Sequence, residues 1–474
     1  MEKDSLGEVS VPSQALFGIQ TQRAIENFPV SGQRFPRAFL VALAHLKGAC
    51  ARANRELRPD RMPEEISRLI QESSAEVAQG GHDAHFPVDL FQTGSGTSTH
   101  MNMNEVIANL SNRKAGGTPG IYIPVHPNDH VNMSQSSNDV IPTSIHLAAL
   151  AILDGELKPA LDQLAGALET KAGEFDSIVK LGRTHLMDAT PVRLGQEFGG
   201  FAAQIRKSWA QIDRESRGLE EVALGGTAVG TGINCPAGFA MKVCETLGGN
   251  LGRPIREAPN HFEAQSGRDD LVRVSGALKA LACALMKVAN DIRLMGSGPF
   301  GGLGELLLPE LQPGSSIMPG KVNPVICEMA AQVAAQVMGN DLAITVGGQG
   351  GHLELNAMMP LMAANLLSSI SILANASRLF ASRCVEGIRV DEARCREMLD
   401  QSPILATVLV PRIGYERTAL LVQAALRGRK SIRTMAAEQG ILTTEEAERL
   451  FDYRRLTEPG DSDPPAGQGQ PRRP

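Results

Sequence analysis

The chain is poor in aromatic residues: they make up 4% of its 474 positions, with one Trp, three Tyr and 14 Phe. That shortage excludes aromatic stacking platforms for nucleic-acid bases and aromatic-lined sugar clefts. Excess charge is also missing. Lys+Arg 46 against Asp+Glu 52 leaves −6, which gives no reason to expect nucleic acid or an anionic membrane as partner. The seven cysteines (Cys50, Cys235, Cys244, Cys283, Cys327, Cys384 and Cys395) are odd in number, widely spaced and form no CxxC pair. This argues against a disulfide framework, a zinc knuckle or an iron–sulfur cluster. No apolar run reaches the ~18 residues of a membrane span. The segment MEKDSLGEVSVPS is polar and acidic, unlike a signal or transit peptide. The expected compartment is a reducing cytoplasm.

What the chain has is glycine, 48 residues of it, and long helical periodicity. Its length corresponds to two or three domains at about 150 residues each. Stretches 36–54 and 63–79 read as helices within a mixed, Pro/Gly-punctuated region. After Pro142 the helices lengthen. Leu271, Val274, Leu278, Leu281, Leu285, Val288 and Ile292 alternate steps of three and four, the spacing of a bundle seam. Further helices are expected at 325–346 and 358–383. The seam reads either as the core of one subunit or as the interface of an oligomeric bundle, and the second is preferred because a long exposed seam would be a liability. The expected division is a mixed helical domain at 1–135, a central helix bundle at 136–392 and a small helical domain at 393–474. In the last, Thr443 and Thr444 before Glu445 and Glu446 mark a helix start. The Pro/Gly-rich tail from about 458 is expected to be disordered.

Five polar segments carry more functional side chains than helix packing needs. Gly94-Ser95-Gly96-Thr97 offers backbone N–H groups and hydroxyls suited to a carboxylate, or is simply a turn before a helix. His126-Pro127-Asn128-Asp129, followed by Ser134 to Asp139, is a second donor cluster or a loop with a helix cap. The His126-x3-His130 spacing suggests a metal, but no third ligand has suitable spacing, so none is expected. Gly182-Arg183-Thr184-His185 places a histidine beside a hydroxyl after a glycine, either structural or an acid–base group. The glycine-rich run 225–234 follows no β-branched strand and sits in no βαβ unit, so it is not a dinucleotide loop. The fifth, Gly314 to Pro324, sets Ser315, Ser316, Lys321, Val322 and Asn323 among Gly and Pro, as in a mobile active-site loop.

GSSIMPGKVNP resembles the signature of the fumarase/aspartase superfamily. TGSGT, MNMNEV, HPND, SQSSND, GRTHLMDATP and ALGGTAVGTGIN resemble its class II fumarase branch, in collinear order over nearly the whole chain. Thr184-His185, Gly320 before Lys321 and Ser136-Ser137-Asn138 favour fumarase over aspartase. His100, Phe17 and Met133 depart from residues common in the family, and His100 lies near the GSGT loop.

The resemblance implies a mainly α, three-domain fold with a central long-helix bundle, assembling as a homotetramer whose active sites are shared between subunits. It implies reversible hydration of fumarate to L-malate, a small dicarboxylate substrate, and no cofactor, metal, nucleic acid or membrane. Ser315 would be the general base and His185 the other acid–base group, with Glu328 paired to it. The sequence leaves open whether the two roles are exchanged. Ser95, Gly96, Thr97, Ser136, Ser137, Asn138, Thr184, Ser316, Lys321, Val322 and Asn323 would bind substrate. His126, Pro127, Asn128 and Asp129 would form a second dicarboxylate site. The alternatives are an aspartase-type ammonia-lyase, a mesaconate hydratase or an enzyme-derived structural protein.

Overall fold

The computed structural model describes residues 1–460. It is mainly helical, with five two-stranded sheets among the described residues. The expected helices form at Arg37–Leu57, Glu64–Gln79, Val325–Gly348 and Met359–Arg383. Pro36 and Pro63 stand immediately before the first two, where a missing N–H costs nothing.

The chain divides into two compact units. One comprises Met1–Ala160, Lys207–Ala284 and Gln332–Ala376. Its Arg37–Leu57 helix buries Phe39, Leu43, Leu46 and Cys50 completely, the four-three-four stripe of a helix face. Helices Thr97–Lys114 and Ser137–Ile152 pack in the same unit.

The other unit comprises Leu161–Arg206, Leu285–Ala331 and the chain from Ser377 onward. It contains the hairpin Val179–Thr184 with Met187–Arg193. Leu181 of that hairpin joins a core with Leu399, Leu409, Leu421, Ile432 and Leu450. Lys180 and Arg183 of the same strand both pair with the fully buried Glu305, at 3.3 and 2.9 Å. Thr443 caps Thr444–Leu450, with Glu446 completing a capping box, as the Thr-Glu pattern predicts.

Three sequence expectations change. The seam residues Leu271, Val274, Leu278, Leu281, Leu285, Val288 and Ile292 are all fully buried by the chain itself. The seam therefore needs no second subunit to cover it. Two helical stretches, Ser137–Glu174 and Met359–Gly387, are long and apolar enough to cross a membrane, contrary to the reading of the runs. Their apolar windows are 78% and 61% buried inside the structure, as in core helices. At the tail, Glu458 is ion-paired with Arg193; the remainder of the expected disordered segment, 461–474, lies outside the described residues.

Candidate active site

In the first unit, two helix starts present the predicted substrate-binding groups. Gly96 caps Thr97–Lys114 in a left-handed conformation, and the Ser95 and Thr97 hydroxyls lie 2.8 Å apart. Gly94 is fixed by close approach: a Cβ there would sit 1.8 Å from the Ala357 carbonyl oxygen. Ser136 caps Ser137–Ile152, and Asp139 returns the bond by accepting the Ser136 N–H at 2.9 Å.

Asp139 is fully buried and does more than cap. Its other oxygen accepts the N–H groups of Gly225 at 3.2 Å and Thr227 at 2.9 Å. The Asn138 amide donates to the Ala228 carbonyl at 2.8 Å. The glycine-rich run 225–234 is thus a structural partner of the Ser136–Asn138 segment. Burial pushes the Asp139 carboxyl up to about 6, and the three backbone donors oppose that shift.

The two helix starts are joined by His100. Its Nδ1 lies 2.8 Å from Ser137 Oγ and its Nε2 lies 2.5 Å from Lys47 Nζ. Lys47 also donates to Gln135 Oε1 at 2.9 Å. Both Lys47 and His100 are buried. Nothing in the sequence distinguishes Lys47, which looks like one more cation on an amphipathic helix. Asp139 stands in the Ser134–Asp139 segment, which reads as a donor cluster or a loop with a helix cap and does not point to its buried contacts with Gly225 and Thr227.

In the second unit, Thr184 pairs with Met187 across a two-residue turn. The turn residues His185 and Leu186 both have positive φ, 55° and 61°, the geometry of a type I′ hairpin that usually takes Asn-Gly. Holding two residues with Cβ atoms there costs about 1 kcal/mol or more each. The cluster of buried Lys180 and Glu305 with partly exposed Arg183 anchors the strand that carries the turn. His185 is exposed at its tip.

The loop from Gly314 is closed at its neck. Gly314 N–H donates to Lys321 O at 2.7 Å, and the Asn323 amide donates to Gly314 O at 2.7 Å. Within it, Ser315 Oγ accepts the N–H groups of Ile317 at 3.2 Å and Met318 at 3.0 Å. Two donors converging on one hydroxyl oxygen favour developing negative charge there. Lys321 Nζ donates to Asn323 Oδ1 at 2.6 Å. Gly320, at φ 81°, supplies the left-handed residue that turns the chain back. Ser316, Lys321 and Val322 are exposed.

His126 and its neighbours form a π-helical turn, Pro127–Val131. His126 Nδ1 accepts from the N–H groups of Asn128 and Asp129, both at 3.2 Å, and lies 3.4 Å from an Asp129 oxygen. Asn128 and Asp129 are exposed. Among the described residues, no hydrogen bond or ion pair joins Glu328 to His185 within the chain. No cluster of three or more His, Cys, Asp or Glu side chains suited to a metal occurs among the described residues.

These two sets of groups, neutral donors at paired helix starts and a strained histidine with a donor-backed serine, sit in the motifs that resemble fumarases. A family model described as "Lyase" matches residues 7–339, and one described as "Fumarase C C-terminus" matches 405–458. The "Fumarate hydratase class II" of Corynebacterium glutamicum is 50% identical, with 95% of each chain covered. The chain belongs to the class II fumarate hydratase family. Class II fumarase from Schistosoma mansoni superposes with a TM-score of 0.92 at 38% identity, covering 96% of this chain and 98% of that one. The fumarate lyase:delta crystallin of Brucella melitensis bound to cobalt superposes with a TM-score of 0.93 at 44% identity, covering 97% and 99%. The family membership extends over both units, including the small helical region that carries the C-terminal model.

Proposed function

We propose that this chain catalyses the reversible hydration of fumarate to L-malate, the tricarboxylic acid cycle step. The observation that carries this reading is the pair of backbone N–H groups on Ser315 Oγ. Removing the malate C3 proton, which neighbours a carboxylate, needs a base and builds an aci-carboxylate with extra charge on its oxygens. A free serine is a very weak acid. Two N–H donors and the nearby Lys321 charge stabilise its alkoxide, so Ser315 becomes the base. His185 then protonates the leaving hydroxide, or in the hydration direction takes a proton from water.

The substrate's two carboxylates, one of which becomes the aci-carboxylate, are held by Ser95, Gly96, Thr97, Ser136, Ser137, Asn138, Thr184, Ser316, Lys321, Val322 and Asn323. Removing one well-placed donor to the aci-carboxylate costs about 3 kcal/mol of barrier. In this proposal the sites are shared between subunits of a homotetramer, and Glu328 meets His185 from a different subunit. An exposed stripe supports assembly. Ala335, Gly339, Leu342 and Val346 on the Val325–Gly348 helix repeat at four-three-four spacing, and Leu342 is 65% exposed. That is a small-and-apolar face suited to another helix. His126 to Asp129 form the second dicarboxylate site. Seven unpaired cysteines are consistent with the reducing cytoplasm included in the proposal.

Purified protein assayed side by side on L-malate, L-aspartate and mesaconate in chelator-treated buffer tests the reading. Fumarate absorbance rising with malate is expected. Faster ammonia release from aspartate, or faster turnover of mesaconate, would move the assignment to the aspartase or mesaconate branch. Inactivity on all three would overturn it.

A further inference from the structure

Lys47, His100 and Ser137 form a continuous chain from the interior to a proposed substrate-binding hydroxyl. The links are 2.5 Å from Lys47 Nζ to His100 Nε2 and 2.8 Å from His100 Nδ1 to Ser137 Oγ. The three residues come from three different helices, Arg37–Leu57, Thr97–Lys114 and Ser137–Ile152. An imidazole with both ring nitrogens engaged has a tautomer set by its partners. An ammonium has donors and no acceptor. When Lys47 is charged it must donate to Nε2, so the single ring proton lies on Nδ1 and is donated to Ser137 Oγ. Ser137 then has its acceptor side occupied and its own O–H free for an anion.

We infer that Lys47, acting through His100, holds Ser137 as a hydrogen-bond donor to a substrate carboxylate, and that loss of the Lys47 proton lets this chain reverse. This rests on the dicarboxylate reading above and adds to it two positioning residues and a pH dependence. With a neutral amine the lone pair accepts from Nε2–H, Nδ1 accepts from the Ser137 hydroxyl, and that hydroxyl is withdrawn from the substrate. No covalent bond other than O–H and N–H is involved, and the proton leaves to solvent. Burial lowers the Lys47 ammonium from its ordinary 10.5 to about 7, and burial also holds His100 well below its ordinary value, so it stays neutral as the relay requires. The groups facing Lys47 are Cys50 on its own helix, Asp139 and Gln135 from the segment that begins the Ser137–Ile152 helix, and His100 itself. Asp139 raises the Lys47 value and favours the charged, donating state. Burial pushes the Cys50 thiol up, so it is uncharged at neutral pH.

The test compares full-length wild type, His100→Asn, His100→Ala and Lys47→Met for malate turnover and for succinate affinity by calorimetry, from pH 6 to 9. In the wild type, succinate affinity should fall about tenfold above pH 7. His100→Ala and Lys47→Met should raise KM about tenfold at pH 6 with kcat moved less, and should flatten the pH dependence. His100→Asn should restore the low KM at pH 6, because its amide donates to Ser137 while its carbonyl accepts from Lys47. Folded variants of both residues with wild-type KM and wild-type pH profile would overturn the proposal. Should His100→Ala fail to fold, wild-type succinate affinity that is unchanged across pH 7 overturns it equally. A protein that binds succinate in the expected pH-dependent way but turns over neither fumarate nor malate would instead refute the hydratase reading and leave the relay standing.

Discussion

The donor cluster at the starts of helices Thr97–Lys114 and Ser137–Ile152 contrasts with the Ser315 loop and the His185 hairpin. In the first, two groups are backed by buried partners, Asp139 behind Ser136 and His100 with Lys47 behind Ser137, while Asn138 is held by the exposed Ala228 carbonyl. In the second, His185 and Lys321 are exposed, the hairpin tip is strained, and the loop is held mainly by its own backbone. Groups that recognise a carboxylate gain from being fixed in advance, because binding then costs little ordering. Groups that move protons need a changing environment, and short loops allow it to be completed by substrate.

The largest expected effect breaks one side of this contrast only. Ser315→Ala and His185→Asn should each lower kcat about 10³-fold, within the range for a lost acid–base group, in an assay of fumarate formation from malate. Thermal unfolding should be almost unchanged, because neither side chain is buried. Asp139→Ala should do the opposite. It removes a capping box and the acceptor for two loop N–H groups, at a cost of about 3 kcal/mol in urea unfolding.

Lys47→Met sharpens the contrast through pH. Burial lowers the Lys47 ammonium to about 7, so the folded chain releases that proton while the unfolded chain keeps it up to about 10.5. Between those values the unfolded state binds more protons, and wild-type stability should gain up to about 1.4 kcal/mol per pH unit from this group. Lys47→Met should remove that rise, as urea unfolding at several pH values would show. The smallest effect belongs to Gly320→Ala. No atom lies within 4 Å of the added methyl, so the left-handed backbone alone is penalised, by about 1 kcal/mol. A loop that keeps this shape passes that penalty to urea unfolding with turnover unchanged; a loop that relaxes and must regain the shape in the transition state keeps its stability and loses about fivefold in turnover.

Much of the fold was legible because helix periodicity is local. The stretches beginning after Pro36 and Pro63, and the Thr443 cap, appeared where the residues placed them. The partners of the long seam were not legible. Seven apolar residues in register state that a face must be buried, and they do not state by what; here the same chain does it. The donor motifs were equally legible as polar segments that packing does not require. Their backing was not, since Lys47 and His100 meet across 53 positions and Asp139 meets Thr227 across 88. His185 reads from the sequence as a histidine beside a hydroxyl after a glycine; its positive φ belongs to the hairpin register, Thr184 opposite Met187, which the residues around it do not announce.

The division between prepared recognition and exposed chemistry is tested most directly by titrating succinate into Ser315→Ala by calorimetry. The account predicts a Kd within about threefold of wild type in a protein that no longer forms fumarate from malate. Succinate binding weakened tenfold or more, in a folded variant, would show that the Ser315 side chain is itself part of recognition and would contradict it.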